Sequence, residues 1–303
     1  MATIYTHVGE NVTKTWLLIT AFIGLVLALG WALSYYLNAP VILYVAVLFN
    51  VMMTFVSYWY SDKIVVALAG AKPIAKQDDQ ELYRIVENLA ITAGLPMPKI
   101  YIVNDPSPNA FATGRNPKNA VVAVTTGLRQ VMDQKELEGV LAHELSHIGN
   151  RDMLVAAVAA VLAGFIITMV DMFMRLSFLG GLRRRDDRGG GGTIALLVVL
   201  IASILGPLAA ILLRVAISRK REFLADASGV MLTRYPEGLA SALQKIAAYP
   251  ISMRQQPEAI SHLWLTNPRK REQGRGNTPW FVSLWMTHPP IEARIKALRE
   301  MAI

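Results

Sequence analysis

The sequence predicts an α+β fold, mostly helical, whose soluble domain is anchored and interrupted by four hydrophobic, transmembrane helices. Four stretches, 16–37, 41–60, 153–170 and 193–213, contain no Asp, Glu, Lys or Arg, and uncharged runs of about 18 residues or more are long enough to cross a bilayer as helices. Between and after them the composition turns mixed, with helical spacing and two short runs of strand character. One helix in that mixed part carries two histidines and a glutamate at the spacing that holds a metal ion.

Only 17% of the 303 residues are charged and 53% are hydrophobic, against roughly 25% charged in ordinary soluble domains. The chain has no cysteine, which excludes a disulfide framework and leaves His and carboxylates to hold any metal. Thirty Lys and Arg against 22 Asp and Glu give a formal charge of +8. Most of that positive charge flanks the apolar stretches, where it meets anionic head groups and sets orientation. The partner it implies is a lipid bilayer and not nucleic acid.

In chain order, residues 1–62 form an N-terminal transmembrane hairpin. Its first apolar run is longer than the roughly 7–15 residues of a signal-peptide core, and a second follows at once, so it stays in place. Asn38-Ala39-Pro40 leaves room only for a tight turn, which puts residues 14 and 63 on one side of the membrane. Residues 63–152 are the first part of the soluble domain, the part that carries the two histidines at metal-holding spacing. Leu82, Ile85, Val86 and Leu89 mark a helix over 79–93 that stops at Gly94, with Pro96 and Pro98 beyond. Residues 99–103 and 120–126 read as strands. Asp133, with Glu136 three residues on, is a capping pair that opens a helix through Leu137, Val140 and Leu141. Residues 153–217 are a second hydrophobic hairpin around an arginine- and glycine-rich loop. Residues 218–303 complete the domain, with helices over 221–233, 237–248 and 291–301 and a charged, glycine-rich surface loop over 268–279.

The helix opened by Asp133 contains His143-Glu144-Leu145-Ser146-His147, an HExxH motif. At about 100° per residue the two imidazoles stand about 40° apart on one face and reach one ion. Glu144 beside them is placed to take a proton from a water whose pKa the ion lowers, and to pass it to a leaving amine. A third protein ligand is needed. Position 153, six residues after His147, holds Met and not His, and Asp152 is one residue short, about 100° off on a continuous helix. A distant ligand follows, and Glu222 is the strongest candidate, at the start of a helix where a carboxylate also suits the dipole. A solvated first-turn acid beside Arg219, Lys220 and Arg221 is the competing reading, and spacing alone leaves the two level. Asp226, one turn on, suits a role as acceptor of the free N–H of a ligand histidine. His7 and His262 have no evident partner and read as structural or exposed.

The strings Leu141–His147, Arg221–Asp226 and Thr287–Arg294, together with Asn109–Gly114, resemble in content and order the motifs of the HtpX heat-shock membrane metallopeptidases. The resemblance runs through nearly the whole chain. It implies a gluzincin-type zinc endopeptidase with one Zn2+ per chain, held by His143, His147 and Glu222, and with Glu144 as the catalytic base. It further implies residence in the cytoplasmic (inner) membrane, a catalytic domain facing the cytoplasm, and quality-control cleavage of misfolded or damaged membrane proteins and unfolded polypeptides. It brings His288 near the active site to steady a tetrahedral intermediate, where the bland reading makes it a turn residue before Pro289-Pro290. Arg294 either pairs with a carboxylate or polarises the substrate carbonyl, against the commoner solvated helix arginine. Asn109 precedes the strand at 120–126, which the likeness makes the edge that receives an extended substrate. The alternatives are a catalytically idle chaperone or scaffold with a structural metal site, and a prenyl-protein processing peptidase. Glu144 speaks against the first, and the small number of apolar segments against the second. Nothing in the sequence sets an oligomeric state.

Six residues, about 9 Å of helix, separate His147 from the third apolar run, and Glu222 follows the fourth at a similar distance. Both ligands are tethered to one membrane face, so the ion is expected just above the head groups. Nine basic residues flank the apolar segments on that side and five arginines lie opposite, which favours a cytoplasmic domain. Those five arginines, Asp171 after only 18 uncharged residues, and Pro207 leave room for a second hairpin buried partly in protein instead of lipid.

Overall fold

The computed structural model describes residues 4–36, 38–183, 219–253, 257–266 and 289–301. The fourth apolar stretch, the 268–279 loop and His288 lie outside them. Helices α1 (Ile4–Tyr36) and α2 (Val41–Trp59) form the N-terminal hairpin. The chain reverses through Asn38, at φ +50°, and the Ala39 amide donates to the Ser34 carbonyl at 3.0 Å. Helix α2 leaves Tyr44, Leu48, Val51 and Phe55 exposed, an apolar surface suited to lipid and not to water.

Helix α3 (Ser61–Leu68) leads into β1 (Ala71–Pro73), then α4 (Gln80–Thr92). Asp79 caps α4 by accepting from the Leu82 amide, and the helix buries Leu82, Ile85, Val86 and Leu89, the predicted apolar face. Strands β2 (Lys99–Val103), β3 (Ala110–Thr113) and β4 (Val121–Thr125) join β1 in a sheet of order β1-β2-β4-β3. Strands β2 and β4 run parallel, and the other two pairings are antiparallel. The strand expected to receive substrate, 120–126, is therefore interior. The edge beside it is β3, which sequence reading did not foresee: all four of its residues are buried, so it lacks the alternation that marks a half-buried strand.

Helix α5 (Thr126–Val131) precedes α6 (Gln134–Asn150), which opens on the predicted Asp133–Glu136 capping box. It ends at Arg151, at φ +57°, and α7 (Asp152–Arg183) leaves it at 83°. Helices α8 (Arg219–Thr233), α9 (Pro236–Ala248) and α10 (Ile291–Arg299) and a 3₁₀ turn at Glu258–Leu263 complete the domain. Helix α6 lies at its centre, and two glycines let its neighbours approach. A Cβ on Gly139 would stand 2.6 Å from the Leu239 amide nitrogen of α9, and one on Gly229 of α8 would stand 3.0 Å from the amide nitrogen of His143.

Of the four transmembrane helices expected, the fourth lies outside the described residues, and the described ones show two to three. Among the described residues only α1, over Gly9–Ala32, and α2 are each long and apolar enough to cross a membrane, and a third span exists only if α6 and the start of α7 are taken as one bent unit. The beginning of α7 is wrapped by protein: Leu154, Val155, Val158 and Leu162 pack with Leu18, Ile19 and Phe22 of α1. An uncharged run reports burial, and burial against other helices meets that requirement as well as lipid does.

Candidate metal centre

His143 and His147 stand one turn apart on α6, and Glu222 enters from the first turn of α8, two turns before the glycine that lets the helices touch. Their donor atoms all lie within 4.8 Å of one another. The two Nε2 atoms are 3.2 Å apart, His147 Nε2 is 3.6 Å from Glu222 Oε1, and His143 Nε2 is 4.0 Å from Glu222 Oε2. Ligands on a tetrahedral zinc with bonds of about 2.0–2.1 Å stand about 3.4 Å apart. Two imidazoles and one carboxylate at these separations fit zinc.

The other ring nitrogens fix the tautomers. His143 Nδ1 lies 2.8 Å from Asp226 Oδ1, and His147 Nδ1 lies 3.1 Å from Asp152 Oδ2. An ionised carboxylate only accepts, so each Nδ1 donates, and in the neutral imidazole Nε2 is then the nitrogen whose lone pair is presented to a metal. Arg294, 1% exposed, grips Asp226 with two hydrogen bonds, Nε to Oδ2 at 2.9 Å and Nη2 to Oδ1 at 2.6 Å, and its Nη1 lies 3.5 Å from Glu222 Oε2. It is a buried structural cation and not a solvated helix arginine. Burial works to raise the Asp226 carboxyl, but Arg294 and His143 hold it below the ordinary range. Burial and the nearby Arg294 charge lower His143, against the pull of Asp226. Burial also opposes charge on His147, yet Asp152 and Glu222 carry it up to about 9.

Glu144 is 2% exposed. Burial pushes its carboxyl up to about 7, against the pull of His147; the Glu222 charge adds to the rise, while Arg294 and the Ala112 amide also draw it down. It faces a cavity shared with His143, His147 and Glu222 and walled by Ala112 of β3, Met153 and Ala156 of α7, and residues 262–265. Asn109 is buried and does not face that cavity. Its amide ties the start of β3 to the residue just after that wall, donating to Thr266 O at 2.8 Å and accepting from Thr266 N at 3.2 Å.

Three features escaped the sequence. Asp152 fails as a third ligand, but the helix breaks at Arg151, so the 100° argument for a continuous helix does not govern it and its side chain turns back to His147. The need of each ligand histidine for a carboxylate partner is the signal that could have found it. His262, read as structural or exposed, is buried with Nε2 3.3 Å from Ala156 O and lines the cavity. Trp264 is fully buried edge-on against Phe111, ring centroids 4.8 Å apart. No local pattern marks either. His7 lies in α1.

Comparison with known proteins agrees with this geometry. Residues 76–302 match the profile of Peptidase family M48. The chain is 44% identical over 305 residues to a protein named Protease HtpX homolog from Caldanaerobacter subterraneus subsp. tengcongensis, covering 99% of both chains. Proteins of the same name from Thermococcus sibiricus and Tropheryma whipplei are 44% identical over 292 residues and 40% over 298, covering 95% and 98% of both chains respectively. Among solved structures, the crystal structure of S. mikatae Ste24p is similar with a TM-score of 0.51 and 20% identity. That match covers 95% of this chain and 65% of Ste24p, so this chain spans about two thirds of its length, and the likeness is one of fold.

Proposed function

The chain belongs to Peptidase family M48, and from that premise we propose a zinc-dependent endopeptidase of the cytoplasmic membrane that cleaves misfolded or damaged membrane proteins and unfolded polypeptides at the membrane surface. The observation that carries the reading is the cluster of His143, His147 and Glu222 with Glu144 beside it in a buried cavity. One zinc per chain, held by those three residues, would polarise a scissile carbonyl and acidify a water. Glu144 takes the proton of the attacking water as the C–O bond forms and the carbonyl becomes tetrahedral, then hands it to the amine nitrogen, and the peptide C–N bond breaks as that intermediate collapses. Asp226 and Asp152 hold the imidazoles, and Arg294 holds Asp226. His288 is assigned a part in steadying the intermediate from motif resemblance alone.

Substrate adds as a strand to the edge of β3. Leu265 N already takes Ala110 O on that edge at 2.8 Å, and with a period of two Ala112 faces the same way, next to Glu144, so the added strand lies along the Ala112 part of the edge. The excess of basic residues on the catalytic side supports a cytoplasmic domain. The partition into blocks 1–62, 63–152, 153–217 and 218–303 belongs to the same proposal.

The test is cleavage of an unfolded polypeptide by purified protein and by Glu144→Gln, with metal content measured and with a chelator arm. Metal-dependent cleavage that falls by about 10²- to 10⁴-fold in the variant while metal stays bound supports the reading. Bound metal without cleavage of either unfolded or membrane substrates would favour a scaffold with a structural metal site.

A further inference from the structure

The peptidase reading makes α1 an anchor. Hydrogen bonds near its N-terminal end give it a second part, which rests on that reading of the zinc site. Asn11 is 2% exposed. Its Nδ2 donates to Asn150 O at 2.9 Å and to Asp152 Oδ1 at 2.7 Å, and its Oδ1 accepts from Arg221 Nη1 at 3.1 Å. These partners form the corner where α6 ends, α7 begins and α8 passes. The last carbonyls of a helix lack partners inside it, and Asn11 satisfies the one on the final residue of α6.

Asp152 is thereby held from two sides. Its Oδ1 faces Asn11 and, at 3.4 Å, Arg221, while its Oδ2 faces His147 Nδ1 at 3.1 Å. The buried face of α1 continues from Asn11 through Thr15 to Leu18, Ile19 and Phe22, and the last three pack against α7. Apolar docking of α1 does not call for an asparagine at its upper end. An amide with donor and acceptor both engaged at the corner fits the task of orienting that corner.

We propose that Asn11 is a positioning residue of the zinc site, through which the first membrane helix fixes Asp152 and, by way of Asp152, the imidazole of His147. With Oδ1 held by two donors, Oδ2 has one direction left, toward the Nδ1–H of His147, and Nε2 is presented to the metal. The anchor is then a working part of the peptidase. Removing a direct hydrogen-bond partner of a metal ligand weakens the metal about 10- to 100-fold. Asn11 acts one bond further out, so a loss of roughly 3- to 10-fold is expected.

The experiment uses the full chain in detergent or liposomes. Zinc affinity is measured by competition with a chromogenic chelator, and the site is read by the visible absorption of the Co2+-substituted protein. The proteins are wild type, Asn11→Ala, Asp152→Ala and the double variant. Asn11→Ala should weaken zinc and shift the cobalt band, yet add nothing once Asp152 is gone. Phe22→Leu, on the same face of α1 but away from the corner, should leave both readouts as in wild type. Unchanged affinity and spectrum in Asn11→Ala, or the same weakening with and without Asp152, overturns the proposal. If Asn11→Ala does not fold, Asn11→Asp takes its place in the cycle, because it keeps the volume and removes the donor, and the same outcomes decide. A wild-type chain that binds no zinc overturns the site reading and this inference together, a result distinct from a failed cycle.

Discussion

Arg294 is a buried charge whose worth depends on its partner. Its guanidinium closes on both oxygens of Asp226, and Asp226 in turn orients His143. Removing one side of a buried pair leaves the other uncompensated, at a cost of about 3–5 kcal/mol. Arg294→Ala should therefore lower the melting temperature sharply, and Arg294→Ala with Asp226→Asn should recover part of the loss in thermal unfolding. Asp226→Asn alone leaves the buried Arg294 without its anion, so it should also lower the melting temperature, and it should weaken zinc about 10- to 100-fold, measured by chelator competition. The residues legible in the sequence were those with local spacing. His143, Glu144 and His147 announce themselves because one helix turn brings them together, whereas spacing left Glu222 and Asp226 open and motif resemblance singled out Glu222. Asp152 and Asn11 could not be read that way. Their geometry depends on a left-handed residue at 151 and on a contact between residues 139 and 141 positions apart, which no window on the chain contains.

Helices were the legible elements, since α4, α6 and α9 each carry a cap or an amphipathic period, whereas β1 and β3 are three and four residues long and have no pattern to read. The meeting of α6 and α8 depends on the absence of a side chain at Gly229. Gly229→Ala should press on the backbone at His143, destabilise by about 1–3 kcal/mol and reduce zinc affinity, because Glu222 rides on the same helix; denaturant titration with and without metal checks both. Asp79 governs the other end of the domain. It caps α4 and meets Arg129 Nε at 2.7 Å. Burial works to raise its carboxyl, but Arg129 and the Leu82 amide hold it below the ordinary range. A carboxyl with a lower pKa in the folded chain stabilises the fold above its unfolded value of about 3.9, and the contribution fades as pH falls through the folded value. Asp79→Ala should cost about 1–2 kcal/mol at pH 7, and the stability curves of variant and wild type should converge in acid.

At the scale of the whole molecule, the three ligands join two parts of the domain separated by the second hydrophobic block. A metal that binds only the folded chain stabilises it by mass action, about 4 kcal/mol at a thousandfold excess over Kd. Chelation should lower the melting temperature, and added zinc should restore it in a concentration-dependent way, followed by differential scanning fluorimetry. Among the described residues, composition located the apolar stretches but could not tell a helix wrapped by α1 from one wrapped by lipid. The 83° corner between α6 and α7 has a consequence for reach. In the proposed topology α7 descends beside the membrane span of α1, so α6 lies along the bilayer plane and its residues share one height above the lipid. His147 lies on α6 before that corner and the apolar run starts at Met153, one residue into α7, so the cleft sits close above the lipid and a substrate tail must be long enough to rise into it. Cleavage then has a minimum tether. Single-span substrates whose juxtamembrane tails are shortened one residue at a time should be cut at an undiminished rate down to a threshold length and escape below it.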